Sequence, residues 1–156
     1  MISAITMTYA EEAIGIVRAA AAVNLPVVIS FTVETDGRLP SGRPLADAVT
    51  HVDQSTGAAP AYYMVNCAHP THFASVIEPG ARWAQRVGGI RANASRLSRA
   101  EFDAATELDR GDVDELARLY RQLYVDLPLR VIGGCCGTDH HHIAAIAAAL
   151  HPLTGH

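Results

Sequence analysis

The sequence has no apolar run approaching the roughly 18 residues that a membrane-spanning helix requires, so no transmembrane helix is expected. It has no basic excess either. Twelve Lys and Arg against 16 Asp and Glu leave a formal charge of −4, which offers no electrostatic footprint for nucleic acid. Only 18% of the 156 residues are charged and 49% are hydrophobic, too apolar a balance for a disordered chain. That length is enough for one domain with a real core, and residues 1–156 are assigned to a single domain. Ile-Ser-Ala-Ile-Thr after Met1 shows neither the basic region nor the apolar stretch of a secretion signal. Cysteine is scarce, and its count of three is odd, which argues against a disulfide framework. A reducing, cytoplasmic setting is expected, where clustered thiols point to metal binding or catalysis.

What is present is an alternation of short apolar runs and longer helical ones. Ile2 to Met7, Leu25 to Phe31, Ala61 to Asn66, Val87 to Ala92 and Leu129 to Gly133 read as strands. Glu11 to Val23, Pro44 to Val52, Thr71 to Ile77, Ser98 or Arg99 toward Leu108, Val113 to Tyr124 and His140 to Leu150 read as helices. The last helix is expected to fray at Pro152 and Gly155. Strands alternating with helices imply about five parallel βα units with right-handed crossovers, an α/β chain.

In parallel α/β folds, ligands bind beyond the carboxyl ends of the strands. The polar stretches of interest fall there: Thr32-Val33-Glu34, Asn66-Cys67, Arg91-Ala92-Asn93 and Cys135-Cys136. With Cys67 on one strand and the cysteine pair two strands on, alternate strands of a barrel can aim all three sulfurs into one layer. Three such thiolates suit zinc and leave its fourth tetrahedral position open. The glycines around Cys135-Cys136 allow the backbone to bend so that neighbouring sulfurs face one ion.

Other readings of these residues stand beside that one. A lone cysteine at a strand end is commonly a small buried hydrophobe. A Cys-Cys dipeptide is also a redox-active vicinal dithiol in principle. The tract His140-His141-His142 reads either as metal-seeking or as a solvated helix start. His69 and His72, around Pro70, read as surface-loop residues. Trp83 and the face Leu116, Leu119, Leu123 read as packing.

Asn66-Cys67 together with Gly133-Gly134-Cys135-Cys136-Gly137-Thr138, followed by His142-Ile143, closely resembles the zinc site of the homocysteine S-methyltransferase family. That family includes betaine–homocysteine methyltransferase and the homocysteine-binding domain of cobalamin-dependent methionine synthase. Ser30-Phe31 with Asp36-Gly37 and Ser41-Gly42 resembles the family's fifth strand and loop, and Asn93 falls where its seventh strand carries an asparagine. The likeness runs from about residue 2 to residue 150.

The resemblance implies a partial TIM-type (β/α) barrel that matches strands four to eight, the C-terminal portion of the family's barrel. It implies Zn2+ on Cys67, Cys135 and Cys136, with Asn66 and Asn93 at the substrate. It also implies transfer of a methyl group from a sulfonium, quaternary ammonium or folate donor to the thiol of homocysteine, giving methionine. Two features depart from the family. The Asp-Gly-Gly segment of its first strand has no counterpart here, and its substrate-contacting glutamate on the fourth strand aligns with Ile5. The alternatives are therefore a zinc-binding remnant without turnover and a dithiol redox protein. The exposed edges of a five-strand arc lead us to expect a homo-oligomer or a complementing chain.

Overall fold

Runs that are apolar at nearly every position become the central strands, because a parallel strand is covered on both faces. In the computed structural model, which describes residues 1–154, these are β2 (Val27–Phe31), β3 (Tyr63–Asn66) and β4 (Val87–Ala92). They lie between β1 (Ile2–Met7) and β5 (Val131–Gly134). All neighbours pair in parallel and the sheet order is β1-β2-β3-β4-β5. Sequential order with crossovers of one hand puts the long crossover helices on the same face, as in a barrel wall. A doubly wound sheet would reverse its order partway. The five strands form an open sheet, part of the barrel expected from the sequence.

The helices are α1 (Ala10–Ala22), α2 (Leu45–Thr56), the short α3 (Pro70–Phe73), α4 (Arg99–Ala104), α5 (Val113–Asp126) and α6 (His140–Thr154). Helix α1 presents Ala10, Ala13, Ile14, Val17 and Ala20 at three- and four-residue spacing, all buried against the sheet. Asp112 caps α5 by accepting from the Glu115 N–H at 2.9 Å, and a Ser98–Glu101 capping box starts α4. Ile29, Phe31, Tyr63, Val65, Ile90 and Ala92 supply the sheet's side of the one core.

Several boundaries differ from the sequence reading. Helix α2 runs four residues beyond Val52, to a left-handed cap at Gly57. Helix α6 continues past Leu150 through Pro152 to Thr154, and Gly155 lies outside the described residues. The segment Thr71–Ile77 splits into α3 and a 3-10 turn. The largest difference is at α4, which stops at Ala104 rather than near Leu108. Asp109 explains it: its carboxylate accepts from the Ser95 hydroxyl at 2.5 Å and the Gly111 N–H at 2.9 Å. Those bonds hold residues 105–112 as a strap across the β4 and β5 loops instead of a helix.

The face without helices is the wall that would line a barrel. Register places Ser30, Met64, Gly89 and Val131 side by side on it, and Asn66, Arg91 and Gly133 in the next layer. Met64 lies across Gly89, where a Cβ would come within 2.9 Å of its Cγ and Cε. At the β1 end this face is open: Ser3 is exposed and Ile5 is 52% exposed.

Candidate metal centre

The strands end at different heights, and backbone bonds carry the ladder a little past each end. The Cys67 N–H donates to the Arg91 carbonyl at 3.2 Å and the Cys135 N–H to the Ala92 carbonyl at 2.8 Å. Asn93 N–H then bonds to Ala68 and Ala94 N–H to Cys136, which fastens the loops after β3 and β5 to the one after β4. Tyr120 of α5 reinforces the seam from beneath. Its hydroxyl donates to the Gly133 carbonyl at 2.6 Å and accepts from the Ala92 N–H at 2.9 Å.

These constraints bring the three cysteines together. Cys67 Sγ lies 2.8 Å from Cys135 Sγ, which is 3.9 Å from Cys136 Sγ, and all three sulfurs fall within 4.8 Å of one another. None is in a disulfide. A zinc ion with Zn–S bonds of about 2.3 Å in tetrahedral geometry holds its sulfurs roughly 3.8 Å apart, inside the range these three span. Three soft donors with no fourth protein ligand fit an open zinc site. Among the described residues no histidine or carboxylate joins the cluster.

The loop that carries the vicinal pair is shaped by glycine at both flanks. Gly137 has φ +79°, and a methyl group there would sit 2.6 Å from the Asp109 carbonyl oxygen of the strap. At Gly134 a Cβ would collide with the side chain of Thr138, whose hydroxyl donates to the Cys135 carbonyl at 2.6 Å.

Cys67 itself adopts φ +54°, and Thr6 on β1 adopts φ +59°. Left-handed backbone costs a β-branched residue such as Thr about 1–2 kcal/mol, so the surroundings must enforce it. Asn66, 3% exposed, does so. Its Oδ1 accepts from the Thr6 N–H at 2.9 Å and the Ser30 hydroxyl at 2.5 Å, while its Nδ2 donates to Thr6 Oγ1 at 2.8 Å. The Thr6 hydroxyl in turn donates to Cys67 Sγ at 3.9 Å. One amide thus ties β1, β2 and β3 together beneath the sulfur.

The sulfurs titrate as a pair. Cys67 is lowered to about 5, first by the hydrogen bond from the Cys135 thiol and further by those from Asn66 and Thr6, against the opposing effect of burial. Cys135 is pushed up, because its proton is held on the Cys67 thiolate and because it is half-buried. A first thiolate forms easily and a second does not form without a compensating positive charge, the situation that a divalent cation resolves.

The remaining expected residues are placed as follows. Asn93 lines the same cavity as Cys67 and Cys136, and its Oδ1 accepts from the Cys136 N–H at 3.2 Å. The cavity, about 170 Å³, is also lined by Thr6, Glu34, His72 and Arg99. His69 and His72 are not surface residues: they are 1% and 7% exposed. His69 Nδ1 caps α3 at Thr71, and burial lowers the ring to about 4, which keeps it neutral. His72 Nε2–H donates to the Arg96 carbonyl at 2.9 Å. His142 is buried and does not belong to the sulfur cluster. It is 1% exposed, with Nε2–H donating to the Arg110 carbonyl at 2.9 Å and Nδ1 2.9 Å from Asp139 Oδ1. It therefore fastens the strap to the start of α6, while His140 and His141 are exposed.

Thr6 and Tyr120 are the contributors that sequence reading missed. Tyr120 had a signal: it lies four residues from Leu116 on the buried face of α5, and a buried phenol needs a polar partner. Thr6 had none, because its role depends on a bulge in β1 between Ala4 and Met7.

Comparison with known proteins agrees with this architecture. The homocysteine methyltransferase MmuM from Escherichia coli superposes in its apo form with a TM-score of 0.65 at 19% identity, over 96% of this chain and 49% of that one. Its metallated form gives 0.65 and 19% over 95% and 44%. Fructose-bisphosphate aldolase from Campylobacter jejuni gives 0.59 and 17% over 98% and 50%. At these identities the likeness is one of fold, and the chain spans about half the length of the solved structures it matches. The sequence profile of the family described as homocysteine S-methyltransferase matches residues 1–150. With that match over nearly its whole length, this chain belongs to the homocysteine S-methyltransferase family.

Proposed function

We propose that this chain takes part in methyl transfer to the thiol of homocysteine, forming methionine, with Zn2+ held by Cys67, Cys135 and Cys136. The observation that carries the reading is the cluster of three free sulfurs within 4.8 Å, two of which line a cavity. Family membership and the metallated relative support the choice of metal and substrate. When bound, zinc supplies a Lewis acid that keeps a coordinated substrate thiol deprotonated near neutral pH.

The chain's own residues do the rest. Cys67, Cys135 and Cys136 bind the ion, and their loops are held by the ladder bonds and Tyr120. Thr6 and Asn66 orient Cys67. Asn93 fixes the Cys136 backbone and presents its amide to the cavity, where it contacts substrate. Asn66 serves the substrate through Cys67, since Thr6 and Ser30 already engage its amide. The methyl donor, a sulfonium, quaternary ammonium or folate, approaches from the open side of the cavity.

One observation favours a second reading, zinc binding without turnover: the inner face is open at Ser3 and Ile5, so β1 contributes little to enclosing a substrate. A second copy or a complementing chain over that face would restore enclosure. The test is methionine formation by the zinc-loaded chain from homocysteine and each donor class in turn. Product with one donor is expected. Homocysteine uptake without product from any donor would favour the second reading, and failure to take up homocysteine would overturn the proposal.

A further inference from the structure

Among the charged side chains that line the cavity, Glu34 and Arg99 form an ion pair that has no part in holding the sulfurs. Glu34 follows β2, and Arg99 opens α4 beyond β4. Cys67 follows β3, which lies between those strands. Arg99 Nε stands 3.5 Å from Glu34 Oε1, so the pair closes across the strand that carries Cys67. Both residues line the cavity together with Cys67 and Cys136. The other chargeable groups on its wall are Asp103 and His72, and the His72 ring is committed to the Arg96 carbonyl.

The backbones behind the pair are ordered while the side chains stay movable. Glu34 N–H donates to the Arg38 carbonyl at 2.8 Å, and the Glu34 carbonyl accepts from Gly37 N–H at 3.0 Å. Arg99 lies within the Ser98–Glu101 capping box, directly after its N-cap Ser98. With the Arg99 side chain 47% and the Glu34 side chain 36% exposed, the ion pair contributes little to stability and opens at little cost.

We propose that Glu34 and Arg99 form a clamp for the zwitterionic end of an α-amino-acid thiol, Glu34 taking the ammonium and Arg99 the carboxylate. This rests on the reading above that a substrate sulfur sits at the cysteine cluster. Binding such a ligand opens one ion pair and forms two, with the guanidinium suited to two parallel bonds to a carboxylate. A thiol with only one charged end opens the pair and leaves the other residue without a partner. Selection for both charges follows from that arithmetic. Strand β1 gives the cavity wall only the uncharged Thr6, so it supplies no competing charged anchor.

The test uses the cobalt-substituted chain and three thiols of equal chain length: homocysteine, 4-mercaptobutanoate and 3-mercaptopropylamine. Each is titrated by its change in the metal's absorption. Homocysteine is expected to bind about tenfold or more tightly than either one-ended thiol. Glu34→Gln should erase the preference over 4-mercaptobutanoate, and Arg99→Met the preference over 3-mercaptopropylamine. The unchanged cobalt spectrum of each variant without thiol shows that the site is intact. Equal binding of all three thiols, or an equal shift of all three in each variant, overturns the clamp and leaves the thiol site standing. If no thiol perturbs the cobalt, the thiol site and the clamp fall together.

Discussion

Around the sulfurs, the loops after β3, β4 and β5 are fastened to one another, to Tyr120 and to the strap at Asp109. At the other end of the same sheet, β1 leaves Ile5 52% exposed and Ser3 exposed on the inner face. The strand does have one firm point, Thr6, where a bulge turns it into the Asn66 network. The contrast separates two requirements of a metal-assisted transfer. Holding an ion needs donors whose positions are over-determined by neighbouring strands, and these are present on contiguous elements. Enclosing a substrate needs walls on all sides, and among the described residues β1 adds only Thr6 to the cavity wall.

Substitutions at each end sharpen that contrast. Cys67→Ser carries the largest expected effect, a loss of zinc affinity of roughly a thousandfold or more, since one of three thiolates is removed. Competition with a chromophoric chelator measures it, and retention of near-native affinity would show that Cys67 is not a ligand. Asn66→Ala strips the acceptor from the Thr6 N–H and the Ser30 hydroxyl in a buried place. It should cost about 2–4 kcal/mol in urea unfolding. Tyr120→Phe leaves the Ala92 N–H without its partner and should cost about 1–3 kcal/mol by the same measurement. At the open end, Ile5→Ser should change stability by no more than about 0.5 kcal/mol. A cost above about 1 kcal/mol there would mean that the inner face is covered in solution, and the contrast between the two ends would fail.

The sequence carried the repeating unit and the cysteine cluster for related reasons. Continuous apolar runs such as Val27–Phe31 leave no choice but a buried parallel strand, and parallel strands put their following residues at one end of the sheet. Cys67 and Cys135-Cys136 both stand directly after such runs, so their meeting followed from topology. The supports were hidden because they join distant segments. Thr6 meets Asn66 across 60 positions, and His142 meets Arg110 across 32. The helix expected to reach Leu108 was lost to a similar long-range contact, the Ser95–Asp109 bond, which outweighs local helix preference. His69 and His72 read as surface groups because a ring nitrogen bonded to a backbone N–H or carbonyl leaves no periodic trace.

The central claim is that three sulfurs form one open metal site, and cobalt(II) titration of the reduced, metal-free chain tests it most directly. The account predicts uptake of about one ion per chain, with intense sulfur-to-metal charge-transfer bands and the strong visible bands of a tetrahedral ion. No uptake, or only the weak bands of octahedral oxygen and nitrogen ligation, would contradict it.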